Sequence, residues 1–334
     1  MSLTKKKDDK KTEQQKVDER REEVLAAGRK FKYPLQWTRH RIVINTILIA
    51  FIVLAIITVS GWLALYRFNM TDDMLFRITK IIPVPVAKVD GEDLRFSDYL
   101  MFYRSSLLSI ERQSGQVDNE ASLNTLRNQY MRAALSESEL YAYATKLAKE
   151  MDITVTNEEV EKEFERHRNL GGIERSEEAF LKIVKDNFDL EKDEYNRMLY
   201  LTLLKAKVEM AIDESANNIS KEVDKLIASN GGDYAAIAEA LGDKVEYQET
   251  GGMVTSQNID GGRASEAIRL EPGGQSGRFV SINGDGYYYV KLINKTETEV
   301  NFVSIKIPFT EFNNRFNKLR EENKIEELIT IKEE

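Results

Sequence analysis

The sequence predicts an α+β protein carried on a single N-terminal transmembrane helix, and three observations predict it. One stretch near the N-terminus is apolar, uncharged and long enough for a membrane span. Helical periodicity fills the middle of the chain. In the last third that periodicity gives way to short alternating segments set between glycine turns. With 334 residues, the chain has room for two folded domains or three small ones. Charged residues at 31% and only 5 prolines mark a chain that folds.

The apolar stretch is residues 42–66 (IVINTILIAFIVLAIITVSGWLALY), which contain no charged side chain. As a helix it would reach about 37 Å, enough for a hydrocarbon core of about 30 Å with some tilt. Trp37 precedes it and Trp62 and Tyr66 close it, where amphipathic rings favour the headgroup layer. Residues 1–41 hold 13 Lys/Arg against 7 Asp/Glu, whereas residues 67–334 hold 35 against 49. The excess of positive charge before the span places the N-terminus in the cytoplasm and the remainder outside. A cleaved signal peptide would have a shorter n-region and an apolar run of about 7 to 15 residues, so a retained anchor in the cytoplasmic membrane is the favoured reading. The basic tail, which begins with KKKDDKK at residues 5–11, is expected to be solvated, with contact to anionic lipid or nucleic acid as its functional alternative.

Zero cysteines exclude disulfides, thiolate nucleophiles and zinc or iron-sulfur clusters. Only His40 and His167 are histidines, which leaves no material for a histidine-rich metal site. His167 lies on a charged helical stretch and is expected to be a solvated surface residue. The glycine doublets at 231–232, 251–252 and 261–262 lack the lysine of a phosphate-binding loop and the spacing of a dinucleotide fingerprint. No cofactor or metal is therefore expected, and the acidic balance after residue 67 argues against nucleic acid as a ligand there.

Beyond the span, residues 67–82 read as a short amphipathic connector stopped by Pro83 and Pro85. Residues 84–91 form a short strand with a turn at Asp90-Gly91. Ser97 then reads as a helix N-cap, followed by Leu100, Tyr103, Leu107 and Ile110 at helical spacing. A longer helix shows Leu126, Tyr130, Ala133, Leu140, Tyr141, Ala144, Leu147, Ala148 and Met151 on one predicted face. Thr156 and Glu159 form a capping box before the next helix. Two further helices are expected over 176–188 and from 192 to about 212, with a break at Gly171-Gly172.

These residues carry a family resemblance. Residues 86–99 (VAKVDGEDLRFSDY), 137–148 (ESELYAYATKLA) and 151–160 (MDITVTNEEV), in that order, resemble the N-terminal chaperone domain of the SurA and PrsA type, in which a strand precedes a helix and a long helix ends before a "VTDEEV" segment. In that family a parvulin-type prolyl isomerase domain commonly follows. Here 233–241 (DYAAIAEAL), 251–254 (GGMV), 266–277 (EAIRLEPGGQSG) and 285–292 (DGYYYVKL) resemble parvulin segments in order and spacing. The resemblance implies a helical chaperone domain over 83–218, a parvulin-like domain over 219–298, and a C-terminal strand and helix over 299–334.

The parvulin catalytic residues do not carry over. That family surrounds the proline with two histidines and with Met and Phe side chains. At the corresponding places the sequence has Tyr288 and Ser304 for the histidines, and Ile259 and Arg263 for the apolar pair. The assignment of Ser304 depends on residues 304–307 (SIKI) standing for the first parvulin strand, supplied from the C-terminus in circularly permuted order. A simple C-terminal extension is the other open reading. No catalytic residue is named, and Ile259, Arg263, Tyr288 and Ser304 form a degenerate substrate pocket at most. The resemblance thus implies a membrane-anchored, extracytoplasmic chaperone of unfolded or nascent exported polypeptides. The alternatives are an active prolyl isomerase, or a scaffold in an envelope or translocon complex.

Overall fold

The computed structural model describes residues 13–108, 110, 120–170 and 173–332. The basic run at 5–11 and Gly171-Gly172 lie outside the described residues, as does the side chain of Trp37. The chain divides into two units, Met1–Ala64 and Leu65–Glu334.

The first unit is helix α1, Glu13–Trp62. Among the described residues, the helical stretch His40–Arg67 alone is long and apolar enough to cross a membrane. Its two threonines satisfy themselves, since Thr46 and Thr58 donate to the carbonyls of Ile42 and Leu54, both at 2.9 Å. A hydroxyl without water has no cheaper partner than the carbonyl four residues back. The apolar run extends past the first unit: Leu65 is buried in the core of the second, and Tyr66 donates to the carbonyl of Pro85 at 2.6 Å.

The second unit begins with helix α2, Asp73–Ile81, capped by Asp72. Strands β1, Pro85–Val89, and β2, Glu92–Arg95, form a hairpin whose turn residues Asp90 and Gly91 have φ of +48° and +87°. Two consecutive positive φ values match the twist of a two-residue hairpin, and Asp-Gly tolerates them. Helix α3, Phe96–Ser105, starts directly from β2 with Arg95 at its N-cap. The expected cap Ser97 is instead inside the helix and buried, because Phe96 is drawn into the core and donates its backbone N–H to Val84 at 2.8 Å.

Helix α4, Glu120–Glu150, buries Met131, Ala134, Leu135, Ser138, Ala142, Tyr143, Leu147 and Ala148. The predicted face was partly misplaced: Ala133 is exposed and Met151 lies beyond the helix end. Several elements grip this helix, so its buried stripe is wider than one periodicity suggests. The Thr156/Glu159 capping box opens helix α5, Asn157–Arg168, with Glu159 N–H to Thr156 Oγ1 at 3.2 Å and the return bond to Thr156 N at 2.8 Å. Helices α6, Glu177–Phe188, and α7, Lys192–Ile212, follow. Edge-to-face contacts among Phe164, Phe180 and Tyr195 join α5, α6 and α7. His167 is half-buried rather than fully solvated. Its Nδ1 lies 2.6 Å from the Tyr195 hydroxyl and its Nε2 lies 3.2 Å from Glu163.

Helices α8, Glu214–Ser229, and α9, Tyr234–Leu241, lead into the second sheet. Its strands are β3, Glu246–Glu249; β4, Val254–Thr255; β5, Phe279–Val280; β6, Gly286–Lys295; and β7, Glu299–Pro308. The order is β3-β7-β6-β5, and β4 also pairs with β7. The C-terminal strand β7 thus enters the middle of the sheet, antiparallel to β6 from Gly286↔Pro308 to Lys295↔Val300. Alternation gives the sheet two cores. Tyr287, Tyr289, Ile305 and Ile307 pack with α8 and α9 on one face. Val290, Leu292, Val300 and Phe302 pack with short helix α10, Arg263–Ala267, on the other.

After β7 the chain leaves this sheet. The helix expected within 299–334 is α11, Glu311–Glu321, and it is followed by a further strand, β8, Ile325–Glu327. Helix α11 sets Phe312 and Phe316 against Tyr143 of α4, with ring centroids 5.1 and 5.8 Å away, and β8 pairs antiparallel with β1. Phe312 and Phe316 have no partner in the sheet cores, and their burial against α4 brings the C-terminus back. The two crossings between the helical and sheet regions share one carboxylate. Asp213, 1% exposed, accepts from Ala216 N at 2.8 Å to cap α8, and from Thr310 N at 2.7 Å and Glu311 N at 3.1 Å at the start of α11.

Candidate functional site

Three of the four sequence-predicted site residues meet on the α10 face of the second sheet. Tyr288 lies on β6 opposite Lys306 of β7, and Ser304 pairs with Val290 on one side and Gln248 of β3 on the other. Residues two apart on a strand share a face, which puts Tyr288, Ser304 and Lys306 together. Arg263 begins α10 above them. Its guanidinium lies 5.1 Å from the centre of the Tyr288 ring and 3.3 Å from Ser304 Oγ, and also donates to Gln248 Oε1. Its Nε donates to the carbonyl of Asp260 at 2.8 Å, while the Asp260 carboxylate receives Ala264 N.

The approach of this loop to the sheet depends on glycine. Gly261 and Gly262 have φ of +77° and +94°, and a side chain on either would run into Ser281 or Ile282. Ile259 does not join the cluster: it is 76% exposed. The loop turns at Asp260 to bond α10, leaving the residue before it outside.

Electrostatics keep the cluster closed on itself. Lys306 reaches Asp285 at 3.0 Å and Glu246 at 3.5 Å. Burial would raise the pKa of Asp285, but hydrogen bonding from Ser281 and Lys306 outweighs it and holds the carboxyl below its usual range. Burial opposes the charge of Lys306, yet Asp285 raises its pKa overall. Burial first, and then the Asp285 charge, raises the pKa of Tyr288, so its phenol stays protonated at neutral pH. The group contains no activated nucleophile. A hydrogen-bonded guanidinium lies over the ring of Tyr288.

Sequence reading missed Gln248, Asp285 and Lys306. Lys306 was open to discovery, being two residues beyond Ser304 on an alternating strand. Gln248 becomes part of the cluster only through the β3–β7 register. Among the described residues no group of acidic or histidine side chains is arranged to hold a metal ion.

The helical region offers a different kind of surface. An open groove of about 450 Å³ between α4, α7 and α11 is lined by Leu140, Tyr141, Lys205, Asn313, Phe316 and Arg320. It mixes apolar walls with charge and has no convergent catalytic set.

The family model of the SurA-like N-terminal domain matches residues 35–209, just over half of the chain. The chain belongs to this family. A search of curated proteins returns no match. The SurA-like match ends within α7, before Asp213 and the sheet, so the Arg263 cluster lies outside it. It covers α2 to α6 and the β1-β2 hairpin but not α11 and β8, which complete the same core from the C-terminus.

Proposed function

We propose that this protein is a chaperone anchored in the cytoplasmic membrane, with its N-terminus in the cytoplasm. Its outer region holds unfolded segments of exported proteins without catalysing prolyl isomerisation. The SurA-like match over residues 35–209 carries this reading. The membrane-length helical stretch His40–Arg67 supports the anchor, and the Lys/Arg excess before the apolar residues supports the orientation. Holding requires weak, sequence-tolerant contact, which an open groove with mixed apolar and charged walls suits.

The sheet region is read as parvulin-like in permuted order, with β7 in the place of the first parvulin strand. Support comes from the central position of β7 and from the matching order of the motifs that precede it. Isomerisation must lower a barrier of about 18 to 20 kcal/mol by stabilising a twisted amide. Arg263, engaged with Tyr288, Ser304, Gln248 and Asp260, argues against an open pocket for that work.

The test uses the full chain in lipid nanodiscs with several unrelated unfolded clients. Light scattering from client aggregation should fall at stoichiometric chaperone. Scattering equal to that with empty nanodiscs would remove the holding function and favour a scaffold.

A further inference from the structure

Helix α2 divides into two unlike faces. Its inner face is committed to the folded unit: Phe76 and Thr79 are 2% and 1% exposed, and the Arg104 guanidinium lies 4.7 Å from the Phe76 ring. Arg104 also pairs with Asp73 at 2.5 Å, and Lys80 pairs with Asp193 at 2.7 Å and Glu194 at 3.1 Å. These contacts fix the rotation of the helix about its axis. Its outer face is therefore set as well, and it is apolar. Met74 is 72%, Ile78 38% and Ile81 83% exposed, and Ile82 just beyond the helix is 55% exposed. Spacings of four and three residues place Met74, Ile78 and Ile81 on one stripe.

We propose that this outer face of α2 rests in the headgroup layer of the bilayer that α1 crosses. The inference rests on the anchor reading given above. Chain continuity selects lipid as the occupant. The membrane-length helical stretch ends at Arg67, and Met74 follows seven residues later, at most about 25 Å away even if fully extended. The intervening Phe68 and Met70 are 68% and 47% exposed. An apolar stripe held this close to a membrane surface has an apolar phase within reach at all times, whereas a client or a second copy must arrive by diffusion. A short helix with one apolar face and an exposed arginine, Arg77, fits interfacial burial to a depth of about 5–10 Å. The face thereby holds the outer region against the membrane where exported chains emerge.

The chain has no cysteine, so single labels can be placed cleanly. Ile78→Cys, Ile81→Cys and the reference Ile259→Cys, all at exposed positions, each receive an environment-sensitive fluorophore in the full-length protein. The proteins are reconstituted into phosphatidylethanolamine/phosphatidylglycerol vesicles with and without brominated lipid. The expected result is blue-shifted emission at positions 78 and 81, quenched roughly twofold by brominated lipid, with neither change at 259. Protein that floats with the vesicles while position 81 behaves like 259 overturns the docking and leaves the anchor standing. A blue shift without quenching shows that protein covers the face and also overturns the proposal. Failure to float overturns the anchor, and the docking with it.

Discussion

The helical region and the sheet region close their cores in opposite ways. The sheet region is continuous in sequence from α8 to β7, and its longest pairing is a hairpin between neighbouring strands. The helical region is discontinuous: residues 65–212 are completed by α11 and β8, which arrive after the whole sheet has been built. A core closed by neighbours can form as soon as its segment exists, whereas one closed by its far end must wait for the C-terminus and bear the entropy of a long loop. The sheet region is thus an insertion in the helical one, and Asp213 fastens both of its crossings.

The largest effect should come from the returning helix. Phe312 is 1% exposed and packs on Tyr143 at 5.1 Å. Phe312→Ala should lower stability by about 3–5 kcal/mol. Urea unfolding followed by far-UV circular dichroism measures this, since both tryptophans, Trp37 and Trp62, lie before the second unit. Hydrogen exchange should speed up in α4 and β1 more than in β6 and β7. Equal acceleration in both regions would show one cooperative core and dissolve the contrast.

Asp213 tests the seam between the regions. Asp213→Ala removes two helix caps and leaves three buried or part-buried N–H groups without their acceptor, at a cost of about 1–4 kcal/mol. Asp213→Asn keeps one carbonyl oxygen and should lose about half as much. Should the two variants lose the same amount, the double cap is not what fastens the crossings.

A smaller, pH-limited effect belongs to the helical region. Burial would raise the pKa of Glu163, but Arg166 and His167 more than reverse this and lower it to about 2. Because the folded value lies below the unfolded one of about 4.5, this carboxylate contributes stability above pH about 4.5. That contribution falls away as pH drops from there towards about 2. Glu163→Gln should flatten the acid limb of the stability profile. A limb as steep as in the wild type would assign the acid sensitivity to other carboxylates.

The contrast also explains what was legible in the sequence. The Thr156/Glu159 capping box, the Asp-Gly turn, the bounds of α7 and the apolar stretch are local signals, and each could be read from adjacent residues. The return of α11 to α4 and the meeting of Arg263 with Ser304 depend on pairings between distant residues, which no periodicity encodes. Arg263, Tyr288 and Ser304 were singled out through family resemblance alone, and only the register of β6 on β7 shows that they touch. His167 was misjudged for a related reason. Its charged neighbours suggested solvent, but its partner Tyr195 lies 28 residues away on another helix.

The smallest expected effect is at Tyr288, and it separates the two regions by function. The Tyr288 hydroxyl makes one long hydrogen bond, 3.4 Å to Asp285, while its ring carries the packing against Phe279 and the contact with Arg263. Tyr288→Phe keeps the ring, so the stability change should stay within about 0.5–1.5 kcal/mol, the net worth of a single hydrogen bond. A working isomerase that used this phenol would respond far more strongly, because catalytic hydrogen bonds act on the transition state. The cis-to-trans rate of X-Pro peptides should equal the uncatalysed rate with either protein, whatever residue precedes proline. Acceleration by wild type that falls in Tyr288→Phe would show that Arg263 swings clear of the ring and admits substrate. The sheet region would then be an enzyme set into a SurA-like domain.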